Sequence, residues 1–367
     1  MQLEMSARVI FDSPEKSSDL FYATRFYAPD PILYIETKKS KFLFVSPLEF
    51  DRAKKECAKD IKIIETYNKE VSELIYSFCK ENSINQISVP YFFPSGLLFE
   101  LQKWGLKVII GEKPFFPERK RKTKHEIAKI AEALKITEKA MQRAEQVINE
   151  AKVMKNNILK WNGEILSSEI MKKIINLELC KYDAIARETI VSCGKGSSEP
   201  HNTGSGAIKA CQPIIIDIFP QASSGYWGDI TRTFIKWKAD SKFMKIFNTV
   251  RIAGLKAIEN IKSGVKASDI YQIAFDYIKS QGFKTGKMNG KNCGFFHSLG
   301  HGVGLDIHES PVISPKNTLP LEVGNVITIE PGLYYPDFGG VRIEDLIVVR
   351  NNGFQNLTEF HKEPIIT

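Results

Sequence analysis

A charged side chain inside an apolar strand constrains a fold strongly, because an unpaired carboxylate removed from water costs several kcal/mol. This chain of 367 residues does so four times in its C-terminal half. Asp217 interrupts Ile214-Ile215-Ile216-Asp217-Ile218-Phe219, and Asp229 leads into Ile230-Thr231-Arg232-Thr233-Phe234-Ile235. Glu330 follows Val326-Ile327-Thr328-Ile329, and Glu344 follows Gly340-Val341-Arg342-Ile343. Turn-forming residues join each pair, Pro220 to Gly225 in the first and Pro336 to Gly340 in the second. If each pair closes as an antiparallel hairpin, facing positions lie about 4.5–5.5 Å apart. That is close enough for two carboxylates to share cations about 3.5–4 Å apart. Four like charges at one place repel unless cations neutralise them, so the pattern points to a dimetal centre.

Histidines fall in the same region. Of six in the chain, His297, His301 and His308 lie within Phe296-His297-Ser298-Leu299-Gly300-His301-Gly302-Val303-Gly304-Leu305-Asp306-Ile307-His308-Glu309. The i, i+4 spacing of His297 and His301 is that of a helical zinc pair, but no Glu follows His297 and three glycines disfavour a helix. The segment reads instead as a strand or loop with close backbone packing.

Elsewhere the pattern predicts two domains. Residues up to 118 alternate strands (Pro31–Glu36, Lys41–Val45, Gln86–Val89, Lys107–Ile110) with helices (Leu48–Lys59, Val71–Lys80, Ser95–Trp104), an α/β unit with a partly parallel sheet. Pro114, Pro117 and a basic cluster mark a boundary. Helices are expected at His125–Val153, Ser167–Lys181, Ser241–Lys262 and Ser268–Ser280, the last capped by Ser268. Strands are expected at Thr189–Cys193, Pro213–Phe219, Ile230–Trp237, Asn325–Tyr335 and Val341–Arg350, giving an α+β domain with antiparallel ribbons.

Composition excludes several classes. The chain is 43% hydrophobic and 26% charged, unlike a disordered segment. Its apolar runs fall well short of the roughly 20 residues of a membrane span, and no secretory signal opens it, so a cytoplasmic protein off the membrane is expected. Six cysteines without a CxxC pair read as reduced, mostly buried thiols. The net charge of +8 would suggest a nucleic-acid partner, but residues 119–124 alone carry five basic groups and none acidic. We read this as a solvated connector and expect no nucleic-acid binding.

The ordered set Asp217, Asp229, His301, Glu330, Glu344 resembles the five-ligand site of the pita-bread metallopeptidases, the family of aminopeptidase P, prolidase and methionine aminopeptidase. The surrounding words are similar too: Asp229-Ile230-Thr231-Arg232-Thr233, Gly300-His301-Gly302-Val303-Gly304, Glu330-Pro331-Gly332 and Gly340-Val341-Arg342-Ile343-Glu344-Asp345. One departure is Asp217-Ile218-Phe219-Pro220 in place of the commoner Asp-x-Gly, with a turn to Asp229 one residue longer.

The resemblance implies an α+β chain, with a pita-bread (creatinase/aminopeptidase) catalytic domain over 119–367 and a smaller α/β creatinase-like domain over 1–118. It implies two divalent metal ions, Mn²⁺ first, with Co²⁺, Fe²⁺ or Zn²⁺ as alternatives. Asp217 would bind one, Asp229 and Glu344 both, and His301 and Glu330 the other, with Glu330 also a general acid/base. His201, in Pro200-His201-Asn202-Thr203, would face the substrate, His297 and His308 would hold the scissile carbonyl, and Arg342 would flank Glu344. The implied activity is hydrolysis of the N-terminal Xaa-Pro bond of peptides by a metal-bridging hydroxide, in a cytoplasmic homodimer. The alternatives are a prolidase restricted to dipeptides, a methionine aminopeptidase, or an inactive relative that binds peptide or nucleic acid.

Overall fold

The computed structural model describes residues 6–67 and 69–367, and the chain divides into two compact units, Met1–Arg119 and Lys120–Thr367.

The first unit is built on a six-stranded mixed sheet in the spatial order Ile61–Glu65, Lys41–Val45, Ile32–Thr37, Ser6–Asp12, Gln86–Val89, Lys107–Ile110. The three central strands run antiparallel and the outer ones add in parallel. Alternation along a strand sends successive side chains to opposite faces. Val9, Leu33 and Ile35 accordingly pack with Ile75, Phe78, Leu97 and Leu101 of the helices Val71–Glu81 and Ser95–Lys103. Ile10, Tyr34 and Leu43 pack on the other face with Leu20 and Ala53 of Ser18–Thr24 and Pro47–Glu56. The strands Ser6–Asp12 and Ile61–Glu65 and the helix Ser18–Thr24 escaped the sequence reading.

The second unit opens with the helix Lys124–Glu150, started by a capping box in which Thr123 and Glu126 satisfy each other's backbone N–H groups. The helices Ser168–Cys180, Ser241–Glu259 and Ala267–Ser280 follow. The last begins one residue before the expected cap: Lys266 is the cap, without a side-chain bond, and the Ser268 hydroxyl reaches Asp269.

Two sheets form the body of this unit. One orders Ile190–Cys193, Ile214–Ile218, Ile230–Lys236 and Ile365–Ile366; the other orders Glu309–Ile313, Gly300–Gly302, Val326–Ile329, Asp345–Arg350 and Gly353–Asn356. Two expected strands are each cut in half. Val326–Ile329 pairs with Asp345–Arg350, whereas Gly332–Tyr335 pairs with Gly339–Arg342 as a separate ribbon. The apolar pattern runs through both breaks, which is why the sequence reads as continuous. The chain parts at Pro331, which has no N–H to give the ladder.

Gly300 sits where a Cβ would enter the van der Waals shell of the Thr328 carbonyl oxygen. Overpacking there is opposed by backbone, which cannot rotate aside, so Gly300→Ala is expected to lose about 2–3 kcal/mol in denaturant unfolding. An unchanged midpoint would show that the two strands separate freely.

The basic cluster is not simply solvated. Arg119 is buried and donates to Asp19, and Lys122 is buried in an ion pair with Glu309; Arg121 alone of these three is exposed, near Glu322. The thiols are free, but two of the six, Cys79 and Cys293, are buried, while Cys180 is exposed. Among the described residues no helix is long and apolar enough to cross a membrane.

Candidate metal centre

The first hairpin forms with a register that differs from a face-to-face pair of acids. Asp217 lies opposite Thr231, and Asp229 falls just before the strand Ile230–Lys236. Since side chains two apart share a face, Asp229, Thr231 and Asp217 are diagonal and direct neighbours on one side.

The two glutamates occupy the breaks in the second pair of strands, and the breaks explain their placement. The Glu330 N–H donates to Leu299 O at 2.8 Å and the Glu344 N–H donates to Thr231 O at 3.1 Å. Each glutamate thus leaves its own ladder and is fastened to a neighbour, Glu330 to the histidine segment and Glu344 to the aspartate hairpin. Arg232, 2% exposed, reinforces the second contact by donating to Glu344 O and Thr231 O, and it also pairs with Asp345 at 3.1 Å.

His301 completes the group from the strand Gly300–Gly302. Its Nδ1 lies 3.2 Å from Gly302 O and so carries the proton, since a carbonyl can only accept. Its Nε2 then faces two acceptors, Glu330 Oε1 at 3.3 Å and Asp229 Oδ2 at 3.7 Å, an arrangement that calls for a proton or a cation between them. Ligand atoms of Asp229, His301 and Glu344 all lie within 4.8 Å of one another.

Electrostatics point the same way. Burial, and then repulsion from Glu344, Asp217 and Glu330, pushes Asp229 well above the usual carboxylate range. Burial followed by Glu330 and Asp217 does the same to Glu344. Burial raises Asp217 as well, opposed by Arg342, whose Nη2 donates to Asp217 Oδ2 at 2.6 Å. Burial also works against Glu330, but the hydrogen bond and charge of His301, with His297 and Arg342, hold it down at about 2. His301 is raised: burial lowers it, and Glu330 outweighs burial.

Among the described residues Asp217 Oδ1 is buried without a hydrogen-bond partner, which a folded protein rarely tolerates. An orphaned carboxylate oxygen, two carboxyls that cannot ionise freely and an imidazole nitrogen turned toward acceptors together fit divalent cations with oxygen-rich coordination.

Around this centre lie the other expected residues. His297 has both ring nitrogens engaged, Nδ1 with Ser298 O at 2.6 Å and Nε2 with the Tyr334 hydroxyl at 3.2 Å, and burial keeps it below the usual histidine range. The His308 ring stands edge-on to His301, centroids 4.3 Å apart, and is exposed. Partial burial and the charge of His301 lower its pKa. His201 is exposed and close enough for its charge to lower both His297 and His308. All eight other candidates, from Asp217 to Glu344, therefore converge, with His201 at the exposed margin.

Sequence reasoning assigned no role to three hydroxyls. The Tyr334 hydroxyl accepts from Arg342 Nη1 at 3.0 Å, and burial pushes it up to about 12. Thr231 donates to Glu344 Oε2 at 2.8 Å, and Thr328 donates to Glu330 Oε1 at 3.3 Å. The threonines stand inside the quoted apolar runs, where a hydroxyl at an inward position was the available signal.

A profile of metallopeptidase family M24 matches residues 128–351. The chain is 32% identical to an Xaa-Pro dipeptidase of Pyrococcus horikoshii, over 90% of this chain and 87% of that one. It is 36% identical to an Xaa-Pro dipeptidase of Pyrococcus furiosus, over 66% of this chain, and the match spans 64% of that protein's length. The solved prolidase of Pyrococcus horikoshii superposes with a TM-score of 0.81 at 29% identity, covering 98% of this chain and 95% of that one.

Proposed function

The chain belongs to metallopeptidase family M24 and has the pita-bread fold, and from that premise we propose that it hydrolyses the bond between an N-terminal residue and proline, with Xaa-Pro dipeptides as its first substrates. The carrying observation is the convergence of Asp229, His301 and Glu344 within 4.8 Å; the names of the two dipeptidase relatives favour dipeptides over longer chains.

In this reading Asp217, Asp229, His301, Glu330 and Glu344 hold two divalent cations, manganese first. Bound there, divalent cations supply Lewis acidity and bring the pKa of water near neutrality. Glu330, held ionised, is the general base that accepts the water's proton and returns it to the departing proline nitrogen. Arg342 opposes the effect of burial on Asp217 by direct donation. The exposed rings of His308 and His201 are the ones open to a peptide and would donate to the carbonyl as negative charge develops on it. His297 acts instead as a positioning residue, because its nitrogens are taken by Ser298 and Tyr334.

The test is a peptide panel on chelated enzyme reloaded with Mn²⁺, Co²⁺ or Zn²⁺. Ala-Pro is expected to be cleaved fastest, Ala-Pro-Ala more slowly, and Met-Ala-Ser not at all. Cleavage of Met-Ala-Ser alone would overturn the reading, and faster cleavage of the tripeptide would move the enzyme to the aminopeptidase P class.

A further inference from the structure

Resting on the reading of His308 as a group that meets the peptide, we propose that the buried Lys122–Glu309 ion pair is a positioning pair that holds the His308 ring against His301. The pair ties together two motifs that lie 187 residues apart in the sequence, the basic cluster and the histidine segment.

Both side chains are almost wholly buried, Lys122 at 2% and Glu309 at 6% exposure. Desolvation offsets much of what such a pair contributes to stability, and in some proteins buried pairs of this kind specify geometry instead. The Glu309 carboxylate lies in the space vacated at Gly304, where a Cβ would come within 2.9 Å of Glu309 Cδ. Glu309 also stands opposite Gly302 in the ladder between Gly300–Gly302 and Glu309–Ile313, so it is the first residue after His308 to be fixed by a strand.

Lys122 is itself anchored. Its N–H donates to Gly324 O at 2.8 Å, and Asn325 donates to Lys120 O at 2.9 Å. The loop 303–308, between the strands Gly300–Gly302 and Glu309–Ile313, is held at its start, where the Trp227 N–H and indole donate to Gly304 O and Leu305 O, both at 3.0 Å. The His308 backbone therefore hangs between two clamps, and the ion pair is the one adjacent to it.

The experiment uses the zinc-loaded enzyme, which is diamagnetic, with nitrogen-15 in its histidines; the His308 ring signal is assigned by its loss in His308→Ala. Lys122→Met and Glu309→Gln are expected to keep the parent's metal content and to displace or broaden the His308 signal. They should lower kcat on Ala-Pro at least about tenfold, as outer residues around a metal site do, with KM held within about threefold. Lys122→Arg should restore both signal and turnover.

Should the single variants fail to fold, Lys122→Met/Glu309→Leu removes both charges at similar volume and leaves no lone buried ion. Full kcat in that protein overturns the proposal, as does an unmoved His308 signal in folded Lys122→Met. If the parent does not cleave Ala-Pro, the dipeptidase reading fails, while the ring signal still reports on the pair.

Discussion

Asp229→Ala and Glu344→Ala enzymes are expected to hold no divalent cation after dialysis and to lose Ala-Pro hydrolysis by about a thousandfold or more, the scale of losing metal-assisted attack. Both side chains are buried, and among the described residues neither accepts a hydrogen bond from an arginine side chain as Asp217 does. The Thr231 hydroxyl takes one lone pair of Glu344 Oε2, which leaves the rest of that carboxylate to the centre. Removing either acid breaks the three-residue group with His301. His297→Ala is the informative contrast. His297 bonds to Ser298 and Tyr334 and not to the carboxylates, so that variant should retain its metal and lose turnover only. Elemental analysis beside a dipeptide assay reads both quantities. Full metal content with wild-type turnover in Asp229→Ala would remove that residue from the centre, and undiminished turnover in His297→Ala would remove His297 from the mechanism.

The contrast also separates what the sequence could and could not disclose. An acid inside an apolar run is visible because its cost is local: Ile214–Ile218 announces Asp217 wherever its partners lie. The register is not visible, because Asp217 meets Thr231 only once the turn from Pro220 to Gly228 has taken its shape. Likewise the fastening of Glu330 to Leu299 and of Glu344 to Thr231 joins segments separated by tens of residues or more, and neither bond leaves a mark in hydrophobic periodicity. Lys122 shows the same limit from the other side. A lysine among five basic residues reads as solvated, and its burial depends on Glu309, which lies far off in the chain. In the first unit the missed strand Ser6–Asp12 carries Arg8 and Asp12 among its apolar residues, so its period is diluted, though its neighbours Ile32–Thr37 and Lys41–Val45 stand out clearly.

Metal-free enzyme is expected to melt about 3 °C or more higher at pH 5.5 than at pH 7.5, a shift of about 1 kcal/mol in a unit of this size, opposite to ordinary acid denaturation. Asp217, Asp229 and Glu344 have folded-state pKa values above their unfolded ones. From about pH 4 upward the folded state therefore binds more protons than the unfolded state, and stability falls as pH rises. His301 is raised too and adds to this fall above its unfolded value. Glu330 is lowered to about 2, so the stability it adds as pH rises is already fully present by about pH 5.5 and does not change over this range. His297 and His308 are lowered and oppose the trend up to their unfolded values near 6.5, which leaves the carboxylates and His301 dominant toward pH 7.5. Cations reverse the balance by taking the place of the protons, so the gain in melting temperature on adding Mn²⁺ should be larger at pH 7.5 than at pH 5.5. Asp229→Asn relieves one buried charge. Metal-free, that variant should melt above the parent at pH 7.5, show a flatter pH dependence and gain little from Mn²⁺. Calorimetry of chelated protein across this range decides the matter: a parent melting temperature that climbs steadily from pH 5.5 to 7.5 would mean that the four acids are not held together against their own repulsion.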